Sequence, residues 1–513
     1  MKPLPIGINT FESIIEGNFV YVDKTELIYT LVKQYGRYFL SRPRRFGKSL
    51  LLDTIQCIFE GKKGLFQGLY IYDKWDWTQT YPVIKIDFLG TFYDNPQKLE
   101  VRLQKVLNTQ YFYHQIPYIE KINSAIDFET LITSVYQKYQ RKVVVLIDEY
   151  DKPILDSINQ TDIARQHRDM LKGFYSVLKG CDAYLQFVFI TGVSKFSKVS
   201  VFSDLNNLDD ITISPHYATL CGYTHAELLH YFADYLQDVD IQQVQKWYNG
   251  YCWDVRKEKV YNPFGILKFL NTKQYKSHWF ETGTPSFLIK LIEDKEQNIP
   301  DLEHAIADHI LLSTFDVENI PIVSALWQTG YLTIKKEIVL YGVTRYELGY
   351  PNFEVEQGFT HSLLSIFVEL SGSEQDSLTV DMIMALDAGE IEKIKRGLEI
   401  LFCGVSYTYS AHIKRYEGFY GSMVYCFFKG MGLECISEDV TQLGRIDLTL
   451  NMRDKVYLFE FKMAHHHQSA LYQIKTREYY QKYLGLGKEV YAIGLIFDHQ
   501  SKNITTFEWE RIA

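Results

Sequence analysis

Nowhere in its 513 residues does the chain carry the unbroken apolar run of roughly 18–20 side chains that a membrane-crossing helix needs. The opening Met1-Lys2-Pro3-Leu4-Pro5 has no apolar signal region, so no targeting segment is expected. Seven cysteines lie scattered without C-x-x-C pairs. Their odd number argues against a disulfide framework and fits a reduced cytoplasm. Positive charge is also short: 54 Lys and Arg against 63 Asp and Glu leave a net charge of −9. Nucleic acid phosphates are held by basic patches, so any such binding has to use a limited footprint. Lys195, Lys198, Lys414 and Arg415 are the candidates for one. There is no internal repeat and no low-complexity linker.

What the chain does have is core material, 46% hydrophobic and 15% aromatic. Its length suits about three domains. The 39 tyrosines are spread throughout and read as amphipathic residues at core edges.

Near the carboxyl end, Gly444-Arg445-Ile446-Asp447 is followed by Glu460-Phe461-Lys462. Residues 446–450 alternate apolar and polar, as a half-buried strand does, and 456–461 form a second β-rich run. The polar stretch 451–455 between them is turn-like. A hairpin about Arg453-Asp454 sets residue 450 opposite 457 and residue 447 opposite 460. Opposed residues share a face, and so do Glu460 and Lys462, two apart. One register therefore gathers Asp447, Glu460 and Lys462. Adjacent carboxylates repel unless a cation lies between them, and hard oxygen ligands suit Mg²⁺ or Mn²⁺. Lys462 would orient a water or stabilise developing charge. The plain alternative is a solvated cross-strand ion pair beside an ordinary glutamate.

Residues 417–430 read as an apolar helix, 433–440 as a strand, 469–484 as an amphipathic helix and 490–497 as a buried strand. This order, with Glu417, Asp447, Glu460-x-Lys462 and Gln473 in it, resembles the PD-(D/E)XK nuclease superfamily over about the last hundred residues. The resemblance implies a restriction-endonuclease-like α/β domain in which Asp447 and Glu460 bind metal, Lys462 serves the water, and Glu417 and Gln473 support the site. Ile446 stands where the family name has proline. His465-His466-His467 could bind a transition metal, with an exposed loop as the plain reading.

A second signal lies in the other half. A short strand ending at Ser41 leads into Arg42-Pro43-Arg44-Arg45-Phe46-Gly47-Lys48-Ser49 and then an apolar helix. Strand, loop and helix in that order are what a phosphate-binding loop requires. Loop amides from Arg44, Arg45, Phe46 and Gly47 and the helix start would hold phosphates of ATP. Lys48 would reach the β- and γ-phosphates and Ser49 would ligate Mg²⁺. Arg42 occupies the place of the usual first glycine. Val143 to Ile147 is a continuous aliphatic run ending in Asp148-Glu149, as in a strand buried on both faces. Asp148 is then assigned to the Mg²⁺ shell and Glu149 to the base for the attacking water. A further buried strand, 185–191, ends in Thr191-Gly192-Val193-Ser194, where Ser194 is the candidate to sense the γ-phosphate.

Residues 4–290 resemble the AAA-ATPase-like family that precedes PD-(D/E)XK nucleases in many bacterial proteins. Besides the loop, Pro5-Ile6-Gly7, Tyr21-Val22-Asp23-Lys24-Thr25, Asp148-Glu149-Tyr150-Asp151-Lys152-Pro153, Thr191-Gly192-Val193-Ser194-Lys195-Phe196-Ser197, Tyr248-Asn249-Gly250-Tyr251 and Tyr261-Asn262-Pro263-Phe264 carry the likeness. It implies a P-loop NTPase fold of the additional-strand type, and the family shares the arginine at the first loop position.

The expected architecture is an α/β multidomain chain. It comprises a P-loop domain over 1–223, a helical lid over 224–292 with a winged-helix-like character, a connecting α/β region over 293–410 and a nuclease-like domain over 411–513. The expected activity is ATP binding and hydrolysis coupled to metal-dependent cleavage of nucleic acid, DNA in the first place, with no membrane partner and a homo-oligomer left open. The rival is a signalling or scaffold ATPase whose nuclease-like domain only binds nucleic acid or protein.

Overall fold

The computed structural model describes the chain except for residues 118–122, 196–200, 203–204, 206, 281–285, 296, 314, 369–371, 406–416, 465–468 and 499–502, and gives only the backbone of 286, 293, 294, 366 and 417. Two compact units emerge: Met1–Thr282 with His304–Asn352, and Gly283–Glu303 with Phe353–Ala513. His465, His466, His467, Lys198, Lys414, Arg415 and the side chain of Glu417 lie outside the described residues.

The first unit is built on five strands, β1 (Arg37–Ser41), β2 (Val83–Asp87), β3 (Val143–Asp148), β4 (Leu185–Gly192) and β5 (Asp209–Asp210). Their order is β2-β3-β4-β1-β5 and every pairing is parallel. β4 thus stands between the loop strand β1 and the acid-ending strand β3, the additional-strand arrangement. Every residue of β3 is buried, as its aliphatic run requires of a strand covered on both faces. Registers Ser41↔Gly192 and Asp87↔Asp148 bring the carboxyl ends of the strands to one edge, where open α/β sheets bind ligands.

Residues 223–272 add helices and a small antiparallel sheet of Tyr223–Thr224, Val260–Tyr261 and Asn249–Tyr251. The helix His225–Tyr231 starts in a capping box of Thr224 and Glu227, which satisfies two of its orphan amides. Farther on come strand Ile306–Asp308, helices His309–Leu312 and Ile322–Thr329, and strands Thr333–Leu340 and Val343–Gly349, the three strands forming one antiparallel sheet. The helix Ile322–Thr329 is almost wholly buried.

The second unit holds a mixed sheet of β6 (Cys435–Thr441), β7 (Gly444–Asn451), β8 (Lys455–Met463), β9 (Glu489–Phe497) and β10 (Ile504–Arg511) in sequential order. Only β8 and β9 run parallel. On one face lies the helix Glu417–Gly430, its Tyr420 stacked on Phe497 at 4.3 Å and its Phe428 against Phe459 at 5.5 Å. Near its end Lys429 binds Glu303 at 2.8 Å and Glu356 at 2.5 Å. Burial pushes the Glu356 carboxyl up, while Glu303, half-buried, is held below the ordinary range against its desolvation by the Lys429 ammonium. On the other face Ile474, Tyr479 and Tyr483 join Val456, Leu458, Val490 and Ala492 in one apolar cluster.

Two expectations change. The span 469–484 is not one helix: an α-helix covers Ala470–Thr476 and a 3₁₀ turn Tyr479–Tyr483, broken at Glu478 with φ 47°. The break turns Tyr479 and Tyr483 into the apolar cluster. Many tyrosines also lie deeper than core edges. Tyr150, Tyr175 and Tyr457 are fully buried, tolerable because their hydroxyls donate to the carbonyls of Ser194, Tyr150 and Leu386.

Candidate functional site

The loop after β1 is anchored by a buried side chain. Arg42 is fully buried. Its guanidinium donates to the carbonyls of Ser41 and Thr212, both at 2.8 Å, and of Tyr217 at 3.3 Å, and lies 4.0 Å from the ring of Trp253. Burial lowers its pKa to about 10, so it stays charged at neutral pH. Left-handed backbone occurs at Arg45 (φ 66°) and Gly47 (φ 87°), not at Arg42. An arginine therefore fits the first loop position without strain. At Gly47 a side chain would meet nothing within 4 Å, so the backbone angle alone calls for glycine.

Phe46 is buried with its ring edge-on to Tyr251 and Trp253 at 4.8 and 5.3 Å. Trp279 donates to the Arg44 carbonyl at 3.0 Å. Arg44 and Arg45 are exposed, with Arg45 5.0 Å from the Phe264 ring. The two aromatic-asparagine motifs named above thus supply walls of the loop. Lys48 opens the helix Lys48–Phe59 and donates to the carbonyls of Arg42 at 3.0 Å and Pro43 at 3.1 Å. Ser49 follows it, half-buried.

Asp148 ends β3 nearly buried and accepts from the Thr191 hydroxyl at 2.7 Å. Glu149 follows with φ 53°, a costly conformation for this residue that local structure must hold in place. Burial raises the Glu149 carboxyl, with Lys48 opposing the shift. Glu149, Lys48 and Arg44 therefore interact electrostatically at one edge of the sheet. Ser194 is fully buried, its hydroxyl donating to Asp151 at 2.6 Å. Asp151 also accepts from the amides of Val193 and Ser194. The hydroxyl touching the Asp148 carboxylate is that of Thr191, three residues earlier; its place at the end of a strand beside β3 was the available signal. Lys195 is no surface cation: it is buried and paired with Asp210.

In the second unit the hairpin has the expected register, with Leu450 opposite Tyr457 and Leu448 opposite Phe459. Past that pair a side chain takes over from the ladder: the Phe461 amide donates to Asp447 Oδ2 at 2.7 Å. Asp447 is thereby fixed to β8 one residue from Glu460. Glu460 is 1% exposed. Its Oε1 lies 3.3 Å from the Lys462 ammonium and accepts from Gln473 Nε2. Asp447, Glu460, Lys462 and Gln473 are thus linked around one strand segment.

Gln473 reaches Glu460 because its helix lies unusually close to the sheet. Glu460 is opposite Gly494 of β9. A Cβ on Gly494 would come within 2.4 Å of the Leu471 nitrogen and 3.0 Å of the Ala470 carbonyl carbon. The start of that helix is pinned by Ser469, whose hydroxyl accepts from the Tyr472 amide at 3.3 Å and donates to Glu508.

Among the described residues no group of three or more His, Cys, Asp or Glu side chains gathers as a metal cage. The donor set still fits Mg²⁺ or Mn²⁺. Such ions commonly use one or two carboxylates and complete their shell with water and substrate phosphate oxygens, and Asp447 with Glu460 supplies that pair.

Family models match the two regions that carry these residues. The family described as AAA-ATPase-like, "Predicted AAA-ATPase", matches residues 5–202, and the PD-(D/E)XK nuclease superfamily matches 415–507. A protein of Azotobacter chroococcum mcd 1, described as "Uncharacterized protein in vnfD 5'region", is 40% identical over 519 residues, covering 100% of this chain and 99% of that one. The chain belongs to the AAA-ATPase-like family with a C-terminal PD-(D/E)XK nuclease superfamily domain. Within the family match fall the phosphate loop, Asp148 and Glu149, and within the superfamily match fall Asp447, Glu460, Lys462 and Gln473. The solved structure of the Aeropyrum pernix ORC1 protein in complex with DNA aligns at 11% identity over 68% of this chain and 95% of that chain, with a TM-score of 0.27, a likeness too distant to argue from. Among the described residues no helix is long and apolar enough to cross a membrane, and all seven cysteines are free thiols.

Proposed function

We propose that this protein is a nucleotide-controlled, metal-dependent nuclease acting on DNA. The observation that carries the reading is the bond from the Phe461 amide to Asp447, which ties one carboxylate to the strand segment bearing the other. In this reading Asp447 and Glu460 hold Mg²⁺ or Mn²⁺. A divalent ion there supplies polarisation of the phosphodiester and a lowered pKa for its bound water. Lys462 orients the attacking water and balances charge as the phosphorane forms. Gln473 holds the Glu460 carboxylate in its rotamer, and Glu417 takes the supporting role that the family resemblance implies.

In the first unit Lys48 exchanges its two loop carbonyls for the β- and γ-phosphates of ATP. Ser49 and Asp148 hold the Mg²⁺ of the nucleotide, with Thr191 and, one step behind it, the Asp151–Ser194 pair fixing the strand ends. Glu149 takes the proton of the attacking water. Its raised affinity for a proton favours that role over a permanently ionised acid.

The test combines nucleotide and cleavage. ATP turnover and cutting of a plasmid in Mg²⁺ are measured for wild type and Lys48→Ala, with and without ATP. Nucleotide control predicts that ATP changes the cutting rate of wild type and leaves that of Lys48→Ala alone. Equal rates in all four conditions would contradict it.

A further inference from the structure

The hairpin that carries Asp447 ends in an exposed arm. β6 and β7 pair Val440 with Arg445 and Thr441 with Gly444. Val440 is 67% exposed, Leu443 53%, and the Arg445 side chain 65%. Two apolar side chains and a guanidinium thus stand at one hairpin tip. Opposed residues share a face, so Val440 and Arg445 are on the same side, and Arg445 lies two residues from Asp447 along the strand.

The arm is braced from behind. The Thr441 hydroxyl donates to the Gly444 carbonyl at 3.0 Å and closes the turn. At its base, Lys482 binds Asp439 and donates to the Val440 carbonyl at 3.3 Å, and Tyr483 donates to Asp439. Lys482 also neutralises the one buried acid of the arm. Arg445 lies 3.3 Å from Glu438, both exposed. Such a pair is weak and readily gives way to phosphate, a stronger bidentate partner.

The geometry points to a duplex-DNA contact: Arg445 takes a backbone phosphate next to the scissile one, while Val440 and Leu443 enter the adjacent groove as an apolar wedge. The inference rests on the nuclease reading for where the scissile phosphate lies. Two strand residues span about 7 Å, or roughly two axial steps of a DNA strand at about 3.4 Å each. Arg445 therefore meets a phosphate one or two nucleotides from a bond held at Asp447. Leu443, two residues farther out, is placed to reach across a groove about 6 Å wide, and apolar wedges of this kind are a known means of gripping the minor groove.

Binding of a fluorescent DNA duplex to the full chain is followed by anisotropy in Ca²⁺ over a range of salt, alongside cleavage in Mg²⁺. Arg445→Ala is expected to weaken binding about fivefold and to reduce the slope of log Kd against log salt by about one, with Arg445→Lys restoring most of both. The double variant Val440→Ser with Leu443→Ser is expected to weaken binding with the slope unchanged. Wild-type affinity and slope in Arg445→Ala would overturn the inference, as would wild-type affinity in the double variant. Cleavage by wild type together with those results would leave the nuclease reading standing. Arg445-dependent binding by a wild type that cuts nothing would remove that reading and keep the contact.

Discussion

The Asp447 carboxylate accepts the backbone amide of Phe461 at 2.7 Å, so a candidate metal ligand also serves as a structural bond between two strands. The two roles are separable. Asp447→Asn keeps an acceptor oxygen of the same shape, whereas Asp447→Ala leaves the amide without it. Urea unfolding is expected to place Asp447→Asn within about 1 kcal/mol of wild type and Asp447→Ala about 1–3 kcal/mol lower. Equal midpoints for the two variants would mean that the bond contributes nothing to the strand pairing.

Gly494 controls the approach of the helix that carries Gln473. Its Cβ would lie 2.4 Å from the Leu471 nitrogen, and that neighbour is backbone, so the helix must shift. Gly494→Ala should cost about 1–3 kcal/mol in urea unfolding and weaken Mn²⁺ binding in calorimetry, because Gln473 loses its hold on Glu460. Wild-type stability together with wild-type Mn²⁺ affinity would show that the close approach is not required.

Arg42 makes the loop by a different route from a glycine. Arg42→Gly, which installs the residue usual in phosphate loops, should lower stability by about 2–4 kcal/mol, since buried carbonyls of Thr212 and Tyr217 lose their donor. ATP affinity should fall with it. An Arg42→Gly variant that binds ATP as wild type does, with an unchanged urea midpoint, would contradict the role given to the guanidinium.

Glu149 sets a pH dependence. Burial favours its protonated form, so it ionises at a higher pH than an ordinary glutamate, whose pKa is about 4.3. A base must be ionised to accept a proton. On acidification ATP turnover should therefore fall from a pH above the usual carboxylate range. Glu149→Gln should bind ATP yet turn it over on the order of 10²–10⁴-fold more slowly. The check is a kcat–pH profile with a binding titration beside it; an acid limb at or below about 4.3 would rule this base out.

Much of the C-terminal site was readable because it is local. The alternation of β7 and β8 and the short polar turn at Arg453-Asp454 leave one symmetric register, and Leu450 does face Tyr457. The aliphatic run ending at Asp148 likewise declares a doubly buried strand. What escaped depends on partners far away in sequence. Strand β10 pairs along β9, but its exposed, charged residues hide the signal of a strand. The break at Glu478 answers to a core that Tyr479 and Tyr483 fill. Thr191 meets Asp148 and Ser194 meets Asp151, pairings that no local pattern reveals. Residues 304–352 return to the first unit through burial of the helix Ile322–Thr329, and nothing in their spacing says which surface covers it.

The most direct test is cleavage of duplex DNA in Mg²⁺ and in Mn²⁺ by wild type, Asp447→Asn and Glu460→Gln, with folding of each confirmed by urea unfolding. A carboxylate pair gripping one divalent ion predicts metal-dependent cutting by wild type and a loss on the order of 10²–10³-fold in each variant. Cutting that survives both substitutions, or that proceeds equally in EDTA, would contradict it.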